Sequence, residues 1–121
     1  MESSAFDLQQ ARVKQVLFKS RLRSMLYGVR EPDEALFSRP VNPLGQWLDT
    51  VVKPRYGQHP EVREIELVLQ QMLGTGRTLV AQYQNGLIEE SRTGLDKINA
   101  QSDRLNALFD RLSQRLVLRD A

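Results

Sequence analysis

Residues Pro60 to Tyr83 read PEVREIELVLQQMLGTGRTLVAQY, and in them Val62, Ile65, Leu69, Met72, Gly76, Leu79 and Tyr83 recur at alternating steps of three and four. Residues so spaced share a helical face, so the stretch predicts a long helix with one apolar seam. Pro60 suits its first position, where a backbone N–H would have no partner within the helix. Gly74 and Gly76 lie inside the run, each costing about 1 kcal/mol relative to alanine, and predict a kink or a close helix crossing. Asn85-Gly86 then punctuates the chain. A seam of this length needs partners.

Two other stretches supply them. Leu95, Ile98, Ser102, Leu105, Phe109, Leu112 and Leu116 repeat the pattern in a last helix. Ala11, Gln15, Phe18, Leu22 and Met25 give a first helix one inward stripe with a single polar interruption at Gln15. Ser4 and Asp7 have capping-box spacing at its start, and Gly28 suits its end. Val29 to Val41 contains Pro32 and Pro40 and reads as a long connection, with one turn around Asp33 to Phe37.

Between the connection and Pro60 stands Asn42-Pro43-Leu44-Gly45-Gln46-Trp47-Leu48, which holds the only tryptophan. Asn42 is a good N-cap and Pro43 a good first residue, so a short helix starts here. Leu44, Trp47, Leu48 and Val51 form its apolar face, and Gly45 lets another backbone approach beside the indole. Pro54 is expected to stop the run, and residues 55–60 to form a turn into the third helix. The expected fold is all-α: an antiparallel four-helix bundle of three long helices and one short tryptophan helix, a single domain spanning 1–121. Leu87, Leu108, Val117 and Leu118 lie off the main seam. They fit either a homodimer contact or a widened core within one chain.

Composition narrows the function. Charged residues are 26% and hydrophobic ones 40%, a balance apolar enough to fold, and 121 residues suffice for one core. There is no cysteine, which excludes disulfides, thiolate metal sites and cysteine nucleophiles. The N-terminus shows no basic region followed by an apolar run, and no span reaches the ~20 apolar residues of a membrane helix, so the expected location is cytoplasmic. His59 is the only histidine and is expected to be exposed or capping in its turn. No phosphate loop, nucleophile elbow or His-Glu-x-x-His pair occurs, and Glu61 and Glu64 share a face that reads as solvated. The expectation is that the protein is not an enzyme, has no small-molecule substrate and carries no cofactor. Arg12, Lys14, Lys19, Arg21 and Arg23 crowd the first helix, and Arg104, Arg111, Arg115 and Arg119 stripe the last, yet the formal charge is only +2. Solvated bundle faces account for this better than a polyanion-binding surface does.

Taken in order, these landmarks resemble the chemoreceptor zinc-binding domain family over nearly the whole chain. The family's first helix has a histidine three residues before a tryptophan-lysine pair, then an arginine-leucine; here Gln15-Val16-Leu17-Phe18-Lys19 and Arg21-Leu22 stand in those places. A cysteine three residues before a Gly-Lys-Trp-Leu-like stretch is matched by Asn42 ahead of Gly45-Gln46-Trp47-Leu48. A tyrosine-glycine and a helix-opening proline are matched by Tyr56-Gly57 and Pro60. The family's last two histidines, nine and thirteen residues after that proline, correspond to Leu69 and Leu73.

The resemblance implies that Gln15, Asn42, Leu69 and Leu73 occupy degenerate ligand positions. Leucine has no lone pair to donate, and amide oxygens bind zinc poorly beside imidazole and thiolate, so no zinc is expected. Gln15 and Asn42 are expected to hydrogen-bond to each other, to backbone or to water, with Asn42 alternatively used as the helix cap. The family further implies a cytoplasmic sensory module, often dimeric, joined to chemoreceptors or diguanylate cyclases in chemotaxis or cyclic-di-GMP signalling. The chain ends without a cyclase signature or chemoreceptor hairpin, which fits a fragment or a small stand-alone protein acting in trans. The expected function is a non-catalytic signalling module working through protein contacts, with a homodimer as the expected state. The alternative is a basic helical protein that binds nucleic acid or an anionic membrane surface.

Overall fold

A computed structural model describes residues 2–120, with side chains described from 9 to 116. Its regular elements are all helical. Helix α1 spans Glu2–Leu26, a 3-10 turn spans Glu34–Phe37, α2 spans Pro43–Trp47, a π turn spans Leu48–Val52 and α3 spans Lys53–Tyr56. Helices α4, Pro60–Gln84, α5, Ile88–Thr93, and α6, Leu95–Asp120, follow. No helix among the described residues is long and apolar enough to cross a membrane.

Most boundaries follow from local chemistry. Gly28 ends the turn after α1 at φ 74° and Gly86 the turn after α4 at φ 86°, conformations that favour glycine because it lacks a Cβ. In the long connection the Asp33 carboxylate accepts from the Ala35 N–H at 3.0 Å, starting the 3-10 turn that the sequence places there. Three boundaries differ from expectation. Helix α1 already runs from Glu2, so Ser4 does not begin it; the side chains of Ser4 and Asp7, like those of Val117 and Leu118, lie outside the described residues. Pro54 does not stop the tryptophan helix. The preceding turn widens so that the Lys53 N–H reaches the Leu48 carbonyl, five residues back, and this makes room for the proline ring, whose missing N–H would otherwise break a regular ladder. The last helical stretch is divided at Gly94, where a Cβ would meet the Leu79 side chain, so the glycine permits a close approach to α4.

The three long helices share one apolar core. Phe18, Leu22 and Met25 of α1 enter it with Ile65, Leu69 and Met72 of α4 and Ile98, Leu105 and Phe109 of α6. Leu108 belongs to this core as well, at 3% exposure, which settles it as a core residue rather than a surface contact. Leu87 is exposed. Polar pairs give the register: Arg12 meets Asp110 and Gln15 meets Ser102 and Asn106, while Glu61 meets Arg115 and Gln101 meets Thr75. In place of the kink or close helix crossing expected at the glycines in α4, one of them admits an aromatic ring from the 3-10 turn. A Cβ on Gly76 would lie 2.7 Å from the Phe37 ring, whereas beside Gly74 there is open space, and α4 is unbroken through both.

Candidate functional site

Gln15 is the most buried polar side chain on α1, at 1% exposure, and it lies against α6. Ser102 Oγ donates to Gln15 Oε1 at 2.6 Å, and Gln15 Nε2 donates to Asn106 Oδ1 at 3.0 Å. The three form a short relay inside an apolar core. A buried amide left bare costs about 1 to 3 kcal/mol, so this relay is what allows a glutamine on the stripe. Ser102 stands on the α6 seam in the sequence. Asn106 falls outside it, and no sequence signal marks it as a partner.

Asn42 is engaged elsewhere. Its Oδ1 accepts from the Leu44 and Gly45 N–H groups at 2.9 and 3.2 Å, capping α2, and its Nδ2 donates to the Leu36 carbonyl at 2.6 Å. One buried side chain thus starts the tryptophan helix and ties it to the 3-10 turn. Among the described residues no hydrogen bond joins Asn42 to Gln15: Asn42 realises both the cap and a bond to backbone, whereas Gln15 finds neither Asn42 nor backbone but the side chains of Ser102 and Asn106, which the sequence reading did not foresee. Beside the cap, a Cβ on Gly45 would collide with the Arg39 carbonyl, so the glycine does admit another backbone. Trp47 packs on Phe109 of α6 with ring centroids 5.6 Å apart, and Leu48 is fully buried next to it.

Around this helix runs a charged network that sequence reading missed. Arg39 Nη2 lies 2.7 Å from Asp49 and 3.3 Å from Glu66, whose carboxylate also takes Lys53 Nζ at 2.8 Å. The Lys53 hydrogen bond, assisted by Arg39 and opposed by burial, holds the Glu66 carboxyl below the ordinary carboxylate range. Asp49 and Lys53 stand four apart on one helical stretch, but Arg39 and Glu66 come from separate parts of the chain, and no periodicity or motif links them to that pair.

The remaining landmarks have structural surroundings. Leu69 and Leu73 are both buried in the core of α4. Phe18 meets Phe37 edge to face at 6.2 Å, with Gly76 beneath them. Lys19 is half-buried at the rim between α1 and α6. Tyr56 packs on the edge of the core, and a Cβ on Gly57 would press on the Lys53 carbonyl. Pro60 opens α4 as expected. Two expectations here are corrected. His59 is buried and makes no side-chain cap, because the turn from Tyr56 folds it under the start of α4. Glu61 is not solvated: it is 9% exposed, and Arg115 of α6 covers its carboxylate at 2.9 Å. Burial pushes the Glu61 carboxyl up, but its backbone hydrogen bond, Arg115 and His59 together bring it below the usual range.

Gln15, Asn42, Leu69 and Leu73, the positions at which the resemblance would set zinc ligands, do not fit the metal. Gln15 and Asn42 have their amide groups bound to protein partners, Leu69 and Leu73 carry no donor atom, and no group of three or more His, Cys, Asp or Glu that could hold a metal exists among the described residues. Comparison with protein-family models, with characterised proteins and with solved structures gives no match.

Proposed function

We propose that the chain is a non-catalytic signalling or regulatory module that acts through protein–protein contacts and self-associates as a homodimer. Its architecture on this reading is an antiparallel four-helix bundle in which the tryptophan helix takes the fourth place. The opposed numbering of the pairs Arg12 to Asp110, Gln15 to Ser102 and Asn106, and Glu61 to Arg115 supports it. The frame is that of a chemoreceptor zinc-binding domain whose metal site has become structural. The observation that carries this is the state of the four positions: a closed relay at Gln15, a helix cap at Asn42 and apolar core at Leu69 and Leu73. A metal-dependent switch is thereby replaced by fixed packing. Its natural setting is the cytoplasm, and its partners are of the chemoreceptor or diguanylate cyclase kind.

The test uses metal analysis of the purified protein and of a quadruple variant. The wild type should contain no stoichiometric zinc and keep its melting temperature in chelator. Gln15→His, Asn42→Cys, Leu69→His and Leu73→His together should recover zinc binding if the frame is shared. A folded quadruple variant without zinc affinity would contradict the family reading, and tightly held zinc in the wild type would contradict the loss of the site.

A further inference from the structure

Helix α1 is apolar on two sides. Its inward stripe feeds the core, while Val13, Val16 and Leu17 on the outside are 55%, 60% and 46% exposed. They stand three and four residues apart and so form one outward stripe, continued by exposed Ser20. Of the other exposed large apolar residues, Tyr27 and Val29 lie in the turn after α1, with Arg23 and Arg92 over the Tyr27 ring, while Val41, Leu67 and Leu87 are scattered singly. The stripe is bordered by charge of one sign, because residues 9–26 contain Arg12, Lys14, Lys19, Arg21 and Arg23 and no acid.

Helix α6, which lies beside α1, presents the opposite pattern. Asp96, Asp103 and Asp110 are exposed at seven-residue spacing, with exposed Ala100 and Ala107 between them. Asp110 is paired with Arg12 at 3.0 Å, whereas Asp96, Asp103 and Lys19 have no ion-pair partner among the described residues. A groove of about 360 Å³ runs between the helices, with Val16, Lys19, Ser20 and Arg23 on one wall and Leu95 and Asn99 on the other.

We infer that this face binds a second copy of the chain, with α1 of each copy lying on α6 of the other about a two-fold axis that runs along the helices. The inference rests on the interaction-module reading above and gives it a surface. Two α1 faces are poorly suited to each other, since the charged side chains that border each apolar stripe are all basic. Laid on α6 of the second copy, the same bases meet Asp96 and Asp103. Val13, Val16 and Leu17 meet Ala100 and Ala107, small residues over which a helix with larger knobs can approach closely. The two-fold repeats every contact once, so a modest set of pairs is doubled. A polyanion is a poorer occupant: it would be drawn by Lys19 and Arg23 but repelled by the acidic row next to them.

Sedimentation of charge-reversed variants tests the surface. The wild type should be a dimer at tens of micromolar. Lys19→Glu with Arg23→Glu, and separately Asp96→Lys with Asp103→Lys, should each weaken association about tenfold or more, with unchanged circular dichroism because all four side chains border solvent. Mixing the two variants should restore a one-to-one dimer, since acidic α1 then meets basic α6 at one contact and the native pairing is kept at the other. A wild-type dimer indifferent to both reversals would overturn this face while leaving self-association intact. A wild-type monomer would overturn self-association as well, without touching the zinc result. A monomer that binds phosphatidylserine vesicles or duplex DNA through Lys19 and Arg23, and releases them as salt rises, would assign the face to a polyanion instead.

Discussion

The seam along α4 and the connection from Val29 to Gly57 both bury apolar side chains in the one core, the connection through residues such as Phe37, Trp47 and Leu48, but the connection relies on single polar groups as well. Along α4 a buried apolar residue recurs at each turn, so many similar contacts share the stability and none specifies the fold alone. In the connection a few polar groups each hold a different point of the chain. Asn42 starts α2 and reaches back to Leu36, Arg39 bridges Asp49 and Glu66, and Arg77 of α4 pairs with Glu34 while donating to the Phe37 carbonyl. Repetition makes the first region readable from spacing and sensitive mainly to lost volume. The second depends on individual partners, and its failures should be local.

The largest expected effect probes the seam. Leu69→Ala removes a side chain that is 1% exposed at the centre of α4, and should destabilise the fold by roughly 2 to 5 kcal/mol through lost transfer energy and the cavity left behind. Chemical denaturation should show this as a lower midpoint with an unchanged slope. A loss well under 1 kcal/mol would mean that the seam tolerates an empty site, and its difference from the connection would disappear.

Asn42→Ala probes the other region and should cost less, about 1 to 2 kcal/mol, since it removes one helix cap and leaves the buried Leu36 carbonyl without that donor. Its distinguishing sign is place. Hydrogen exchange should quicken from Leu36 to Leu48 while the amides of α4 between Ile65 and Met72 keep their relative protection. Uniform loss of protection through both regions would show that they unfold as one unit and that the contrast between them is only descriptive.

This contrast also explains what sequence reading reached. The three long helices, the inward Gln15, the cap at Asn42 and the close backbone at Gly45 follow from spacing and from residues with one dominant local role. Asn106 does not, because a partner on another helix leaves no trace in its own neighbourhood. Neither do Arg39 and Glu66, which tertiary geometry alone brings to Asp49 and Lys53. Pro54 misleads because a local rule forbids it in a regular ladder, while a widened turn at Leu48–Val52 satisfies that rule by other means. His59 and Glu61 mislead in the opposite way: polar residues near a turn read as solvated until Arg115, far along the chain, covers one of them.

The smallest expected effect is a pH dependence that belongs to the connection. Glu66 is held below its ordinary range, first by the hydrogen bond from Lys53 and then by Arg39, against the opposing influence of burial. A carboxyl whose folded value is depressed contributes stability that is complete above its unfolded value, about 4.3, and is lost as pH falls through the lower folded value. The wild type should therefore lose stability as pH falls below about 5, and Glu66→Gln should lose less over the acidic range because its amide does not titrate. Glu66 is partly screened by solvent at 23% side-chain exposure, so the difference should be about 1 kcal/mol or less. Melting curves of both proteins at pH 7 and at several acidic values measure it. Glu61, likewise depressed and paired with Arg115, titrates at the start of α4 and remains in both proteins, so the comparison isolates the network around the tryptophan helix. Identical acid limbs in the two proteins would show that Arg39 and Lys53 hold Glu66 no better than water does, and that the connection is kept in place by Asn42 and its apolar contacts alone.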